Sequence, residues 1–130
     1  MEDYFSRMSH TDEPGEQVVA NAVDLIERVN TLLAQAAHEG LAEAETPKIN
    51  SGWRSPEYNA RIPNASPTSK HMTGQAIDLA DPEGALDDWC LKNGALLGEC
   101  GLWQEHPLST KGWCHLQSVA PRSGSRVFYP

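Results

Sequence analysis

Apolar residues recur at helical spacing in the first third of the chain. Their spacing of three and four residues predicts one long amphipathic helix within residues 11–40, packed along one face. Thr11 begins a segment typical of a helix start, and Gly40 is a suitable terminator. Residues 1–10 show no such pattern, so we expect a flexible arm there. The apolar stripe consists of Val18, Val19, Ala22, Val23, Leu25, Ile26, Val29, Leu32, Leu33 and Ala36.

The rest of the chain contains shorter patterned segments separated by turn-forming residues. Ser55 and Asp81, each followed by a proline, are typical helix N-caps. The segments that end at Glu105 and begin at Gly112 are predicted to pair as an antiparallel hairpin. In chain order we predict a polar connection over residues 43–48, a strand over 49–54, a helix over 56–61, an irregular loop over 62–68, a strand over 76–79, a helix over 82–93, strands over 100–105 and 112–118, and an edge strand over 126–130.

Together these elements predict a single α+β domain over residues 1–130, a length that suits one hydrophobic core. A small antiparallel sheet is expected to carry the functional site and to pack against the long N-terminal helix and the shorter helices. The residues with distinctive chemistry all lie within 49–117.

Charge and hydropathy narrow the classes of function. The net charge of −8 argues against a nucleic-acid partner, which would require a basic face. No apolar run approaches the roughly 20 residues that span a membrane. The acidic N-terminus lacks the apolar segment of a signal peptide, so we expect synthesis in the cytoplasm.

Two histidines and an aspartate form the most distinctive candidate site. His71 and Asp78 lie seven residues apart, and His115 follows later in the chain. Imidazole nitrogen and carboxylate oxygen are typical zinc ligands, and three protein ligands leave a fourth position open, as in catalytic zinc sites. These residue types therefore indicate a catalytic divalent-metal site rather than a structural one.

The spacing between His71 and Asp78 requires the chain to fold back. In a straight strand, residues seven apart lie on opposite faces and more than about 20 Å apart, at roughly 3.3 Å per residue. Gly74 is the natural hinge because glycine adopts a positive φ at little cost. Asp78 is then expected on a short buried strand.

Strand alternation sorts the residues around His115. Trp113 and Gln117 should share its face, whereas Cys114 should point to the opposite face, away from a metal. The number of cysteines is odd and no CxxC motif occurs, so we predict free thiols in a reducing compartment. They are Cys90, Cys100 and Cys114.

Three blocks, in this order, resemble the zinc D-Ala-D-Ala carboxypeptidase family, which includes D-Ala-D-Ala dipeptidases and phage L-alanyl-D-glutamate endolysins. They are SGWR at 51–54, SKHMTGQAID at 69–78 and WCH at 113–115, and they match the family pattern S-G-[YW]-R, S-x-H-x-x-G-x-A-x-D and W-x-H.

The resemblance implies that His71, Asp78 and His115 bind one zinc ion. It further implies that Arg54 faces the substrate, near its carboxylate or its scissile carbonyl. Ser69 is expected to shape the loop or to hydrogen-bond near the site, and it is a candidate for substrate binding.

Hydrolysis requires a general base, and the chain departs from the family pattern at the position that usually supplies it. Many members of the family carry Glu or Asp three residues before the last histidine, where this chain has Gly112. In the predicted hairpin, Glu105 would lie close to Gly112 or Trp113, depending on register. Glu105 is therefore the first candidate for the base, and His106 is the second. Glu105 as an ordinary carboxylate at the edge of the turn is the alternative.

The resemblance leads to three functional hypotheses. The first is a zinc peptidase that cuts the peptide stems or cross-links of bacterial peptidoglycan, associated with a phage and reaching the wall by phage-type release or in a virion. The second is a structural or wall-binding module that keeps the zinc but has lost turnover, which Gly112 favours. The third is a zinc hydrolase acting on another amide.

Overall fold

The computed structural model describes residues 2–5 and 13–130 and confirms the predicted α+β fold. The longest helix of the described residues, α1, spans Glu16–His38. No helix within the described ranges is long and apolar enough to cross a membrane. The remaining elements are α2 (Ala42–Glu45), β1 (Ile49–Ser51), α3 (Pro56–Ala60), β2 (Ala76–Asp81), α4 (Ala85–Lys92), α5 (Gly94–Cys100), β3 (Trp103–Glu105), β4 (Gly112–Gln117) and β5 (Val127–Phe128), with 3₁₀ turns at Glu2–Phe5 and Pro107–Ser109.

The five strands form one sheet in the order β1-β2-β4-β3-β5. All neighbouring strands are antiparallel except β3 and β5, which are parallel. The predicted β3–β4 hairpin is present, and the predicted tail strand forms the edge strand β5. Across β2 and β4, Ile77 pairs with Leu116 and Asp78 pairs with His115. Because successive residues face opposite sides, one face of the sheet is apolar and the other is polar.

The apolar face of the sheet belongs to the single hydrophobic core. Ile77 and Leu116 join the buried face of α1 and the inward side of α4 in one cluster. Val19 and Val23, which the helical spacing placed in the buried stripe, are instead exposed. The buried stripe of α1 is therefore narrower than the sequence predicted. It consists of Ala22, Leu25, Val29, Leu32, Leu33 and Ala36.

The end of α1 agrees with the sequence prediction, whereas its start does not. The helix begins at Glu16, after the predicted start, and Thr11 lies outside the described residues. At the other end, Gly40 has a φ of +89° and donates a hydrogen bond of 2.9 Å to the Ala37 carbonyl. Gly40 therefore terminates the helix as predicted, since a left-handed residue here satisfies the last carbonyl groups.

Residues 2–5 are held against the core, where the sequence predicted an arm. The Tyr4 side chain is buried, and its hydroxyl donates a hydrogen bond of 2.7 Å to the Ala76 carbonyl on β2. Burial raises the pKa of this hydroxyl, so it remains a donor. The Tyr4 carbonyl accepts a hydrogen bond from the Trp53 N–H. The rest of the predicted arm lies outside the described residues.

Several predicted segments differ from the structure in extent, and the strand predicted over 49–54 ends at Ser51. The connection over residues 43–48 contains the short helix α2, and the predicted strand over 100–105 begins only at Trp103, because α5 occupies the preceding residues. The helix predicted from residue 82 begins at Ala85. Asp81 nevertheless caps that helix, since its carboxylate accepts from the N–H groups of Leu86 and Asp87 at 3.0 and 2.8 Å.

Candidate metal centre

The polar face of the sheet carries one row of side chains that crosses all five strands. Ser51 pairs with Asp78, and Asp78 pairs with His115. The β3–β4 register, continued by one residue, places Glu105 opposite His115, and Glu105 pairs with Phe128 on β5. Directly paired residues present their side chains on the same face, close enough to interact. Sheet pairing alone therefore brings Asp78, His115 and Glu105 together.

His71 reaches this row from the loop before β2. Its Nδ1 lies 2.8 Å from the Gly52 carbonyl oxygen, which only accepts hydrogen bonds, so Nδ1 carries the hydrogen. The other ring nitrogen, Nε2, lies 3.2 Å from a carboxylate oxygen of Asp78. The Gly52 carbonyl thus leaves the Nε2 of His71 free to bind a metal, and metal-binding histidines usually have such a partner behind the ring.

The SGWR segment anchors the histidine loop through its backbone. The Arg54 N–H donates to the His71 carbonyl at 3.1 Å, and the Trp53 indole N–H donates to the Met72 carbonyl at 3.0 Å. Position 52 requires glycine because the backbone of Tyr4 approaches it closely, and a Cβ there would lie 2.0 Å from the Tyr4 carbonyl oxygen. The first block therefore holds the second in place.

The three proposed ligands fit a zinc ion. Their ligand atoms all lie within 4.8 Å of one another, and all three residues are buried. The His115 Nδ1 lies 2.8 Å from Asp78 Oδ1, close to the separation of the His71 Nε2 from Asp78. Two ligand atoms on a tetrahedral zinc ion lie about 3.3 Å apart, so only small movements are needed. The geometry agrees with the donor set, which is typical of catalytic zinc.

The carboxylate of Asp78 supplies negative charge to this site. Burial opposes ionisation of Asp78, but the adjacent His71 and His115 hold the pKa of its carboxyl well below the usual range. The pKa of His115 is raised, because the hydrogen bond and charge of Asp78 outweigh the effect of burial. Asp78 is therefore ionised and available to a cation, and a metal ion bound here would displace the proton that the raised pKa favours on His115.

Arg54 lies at the edge of the metal centre. Its Nε donates to the Ser51 hydroxyl at 3.0 Å, and one terminal nitrogen lies 3.5 Å from Asp78 Oδ2. The guanidinium is therefore fixed between the first strand and the carboxylate, and Arg54 lines the groove beside the metal centre. The role of Arg54 toward a substrate stays a prediction.

Glu105 lies beside His115 rather than beside Gly112 or Trp113. The predicted register was wrong: β3 pairs Trp103 with Gln117 and Gln104 with Leu116, and this register continued by one residue brings His115 opposite Glu105. Burial raises the pKa of Glu105, and the charge of Asp78 adds to that effect, while His115 lowers it. A raised carboxyl pKa is favourable for proton transfer near neutral pH.

Other polar residues near the site make contacts of their own. The His106 ring stacks on Tyr129 with a centroid distance of 4.5 Å, and its Nδ1 accepts from the Leu108 N–H. The Ser69 hydroxyl accepts from the His71 N–H at 3.2 Å, so it shapes the loop as expected. Gln75, which follows Gly74 in the loop before β2, accepts from the Thr73 hydroxyl. These contacts leave Glu105 as the stronger candidate for the base.

Cys114 points away from the metal centre, as strand alternation predicted. It is fully buried on the apolar face, where contact with Cys90 and desolvation raise the pKa of its thiol. All three cysteines are free thiols, as predicted.

The metal centre opens into a groove with a volume of about 640 Å³. Residues of the 62–70 loop, of β4 and of the C-terminal segment line it. A groove of this size accommodates a short peptide segment. Its lining includes Arg54, Ser69, Lys70, His71, Asp78, Glu105, Trp113, His115, Gln117 and Phe128.

Sequence reasoning missed two residues that position the site. Asn59 is buried, and its amide donates to the Ser66 carbonyl at 2.8 Å and lies near Arg54. Gln117 was expected only to share a face with His115, yet its Oε1 lies 2.9 Å from the His115 Nε2. Polar residues that alternate with a ligand along one strand are the signal that would have identified Gln117.

Replacing Gly74 with alanine is expected to destabilise the metal centre. Gly74 has a φ of +76°, and an added Cβ would lie 2.5 Å from the Val18 carbonyl oxygen on α1. Gly84 provides a matched control, because it has a φ of +75° and nothing within 4 Å of its Cβ position. Gly84→Ala should cost about 1–2 kcal/mol, the penalty of a left-handed backbone. Gly74→Ala should cost about 1–3 kcal/mol more, as overpacking does.

Urea unfolding of the two glycine variants and zinc titration of each measure this difference. We expect Gly74→Ala to lower zinc affinity and Gly84→Ala to leave it unchanged. Equal losses of stability would show that the contact with α1 does not constrain the loop.

Comparison with known proteins gives one match. A family model described as Peptidase M15 matches residues 5–96, which is more than half of the chain. The matched range includes the SGWR block and the segment from Ser69 to Asp78, and it ends before β3 and β4. No curated protein and no solved structure gives a significant match.

Proposed function

Because the chain belongs to the Peptidase M15 family, we propose that it is a zinc-dependent peptidase that hydrolyses peptide bonds in the stems or cross-links of bacterial peptidoglycan. The observation that supports this most directly is the buried group of His71, Asp78 and His115, whose ligand atoms lie within 4.8 Å of one another at the groove. The proposed bond is D-Ala-D-Ala or L-Ala-D-Glu, and the proposed setting is phage-type release to the cell wall.

Each residue of the centre has a role in this proposal. His71, Asp78 and His115 would hold one zinc ion. When bound, zinc lowers the pKa of its water and polarises the peptide carbonyl. Arg54, fixed beside Asp78, directs its positive charge at the carbonyl oxygen or at a substrate carboxylate. Ser69 holds the loop that carries His71 and lines the groove.

Glu105 is the proposed proton carrier. It lies on the same face as His115 and lines the groove, so a substrate bound there would have a carboxyl group beside it. Its raised pKa favours accepting a proton from the attacking water and passing it to the leaving amine. In this proposal, Glu105 supplies from β3 the carboxylate that the family pattern places where this chain has Gly112.

Digestion of purified peptidoglycan tests the proposal when zinc content is measured on the same preparation. We expect one equivalent of zinc, and mass spectrometry should identify new amino and carboxyl ends at one type of peptide bond. Chelation should stop the release, and added zinc should restore it. Released D-Ala identifies a carboxypeptidase, and cleaved L-Ala-D-Glu identifies an endopeptidase.

The second candidate function is a zinc-binding wall module without turnover, which Gly112 favours. Gly112 is exposed, has a φ of +101° and carries no side chain that reaches the groove. One equivalent of zinc with binding to peptidoglycan but no cleavage would support this function. Absence of zinc from a folded protein would contradict both candidates.

A further inference from the structure

Gln117 is buried two residues after His115, on the same face of β4. Its Oε1 lies 2.9 Å from the His115 Nε2, and its own amide nitrogen donates to the Val119 carbonyl at 2.8 Å. A backbone carbonyl accepts hydrogen bonds and never donates them. The Val119 carbonyl therefore fixes the orientation of the amide, with nitrogen toward Val119 and oxygen toward the imidazole ring.

This orientation determines which nitrogen of His115 carries hydrogen. The Gln117 oxygen only accepts, so the His115 Nε2 must donate. In a neutral imidazole with hydrogen on Nε2, the other nitrogen, Nδ1, has a free lone pair. Nδ1 is the atom that lies 2.8 Å from Asp78 Oδ1, at the proposed metal position.

The two histidines are held in opposite tautomers by equivalent means. His71 donates from Nδ1 to the Gly52 carbonyl and presents Nε2, whereas His115 donates from Nε2 to Gln117 and presents Nδ1. In each case an oxygen that can only accept a hydrogen bond contacts the ring nitrogen that does not face the metal position. The Gln117 oxygen therefore occupies the same place relative to His115 as the Gly52 carbonyl does relative to His71.

We infer that Gln117 is a positioning residue that fixes His115 in the tautomer and rotation required for metal binding through Nδ1. The inference rests on the proposed zinc site. Without an acceptor at position 117, the neutral ring can place its hydrogen on Nδ1, toward Asp78, and the lone pair then points away from the metal. The ring also loses the contact that limits its rotation.

Zinc titration against a chromophoric chelator tests this role with three variants. Gln117→Met keeps the chain length but removes the acceptor oxygen, and it should weaken zinc binding by about 10–100-fold, the usual effect of losing such a partner. Gln117→Glu keeps an acceptor and should remain within about tenfold of the original affinity. Gln75→Met is the matched control, since Gln75 contacts Thr73 outside the groove, and it should bind zinc normally.

Nitrogen NMR of the zinc-loaded original protein gives a second readout that does not depend on the variants folding. We expect His115 to show zinc on Nδ1 and hydrogen on Nε2. Zinc on Nε2 would overturn the inference, as would equal zinc affinity of Gln117→Met and the original protein. Equal weakening by Gln117→Met and Gln117→Glu would also overturn it, because burial alone would then explain the loss. If the original protein binds no zinc, the proposed function fails and this inference fails with it.

Discussion

Replacing Asp78 with alanine is expected to abolish zinc binding and peptidase activity together. The Asp78 carboxylate lies 2.8 Å from His115, 3.2 Å from His71 and 3.5 Å from Arg54, so it is the common contact of the site. Loss of a residue that only supports a ligand costs about 10–100-fold in metal affinity. Loss of the only anionic ligand should therefore exceed 100-fold, and zinc titration with peptidoglycan digestion measures both effects.

The matched control for this substitution is Asp88→Ala. Asp88 lies on α4, its side chain is 59% exposed, and it pairs with Lys92 one turn later. An exposed pair of this kind contributes little to stability, so this variant should retain zinc and activity. A folded Asp78→Ala protein that still holds one equivalent of zinc would show that the ligand assignment is wrong. His71→Ala should behave as Asp78→Ala does.

The parts of the site that the sequence predicted correctly are local. His71 and Asp78 stand seven residues apart with Gly74 between them, and the required reversal of the chain follows from that spacing alone. The side of β4 that carries His115 and excludes Cys114 follows from strand alternation. Such features depend on neighbouring residues, which the sequence displays directly.

The parts that sequence reasoning missed depend on distant contacts. Tyr4 has no periodic neighbours, yet its hydroxyl bonds to Ala76, which is 72 residues away. Helix α5 contains Gly94 and Gly98, which are poor helix formers, but it packs against α1. Tertiary packing overrode local propensity in both places, and a single sequence does not show which surfaces will meet.

The register of the β3–β4 hairpin is the error with the largest consequence for function. The sequence shows the two strands but not how the 3₁₀ turn at Pro107–Ser109 uses the residues between them. A register that pairs Glu105 with Gly112 would place its carboxylate at the end of the sheet. The observed pairing instead places it beside His115 and the groove.

Replacing Glu105 with glutamine is expected to leave zinc bound and to lower the rate of peptide hydrolysis by about 10²–10⁴-fold, the usual contribution of a positioned general base. Glutamine keeps the size and polarity of the side chain but cannot accept the proton. Because Glu105 is half-buried beside His115 and Asp78 and its pKa is raised, its loss should affect proton transfer rather than metal binding. Zinc content and the rate of release of new peptide ends are measured on the same sample.

Glu99→Gln provides the matched control, because Glu99 is exposed on α5 and does not line the groove. This variant should retain both zinc and activity. Glu105→Asp should recover part of the rate, since the carboxylate remains but is set back by one methylene group. Full activity of zinc-loaded Glu105→Gln would exclude Glu105 as the base. Loss of zinc from that variant would instead show that the charge of Glu105 supports metal binding, since neutralising a group beside a ligand can also weaken the hold on the ion.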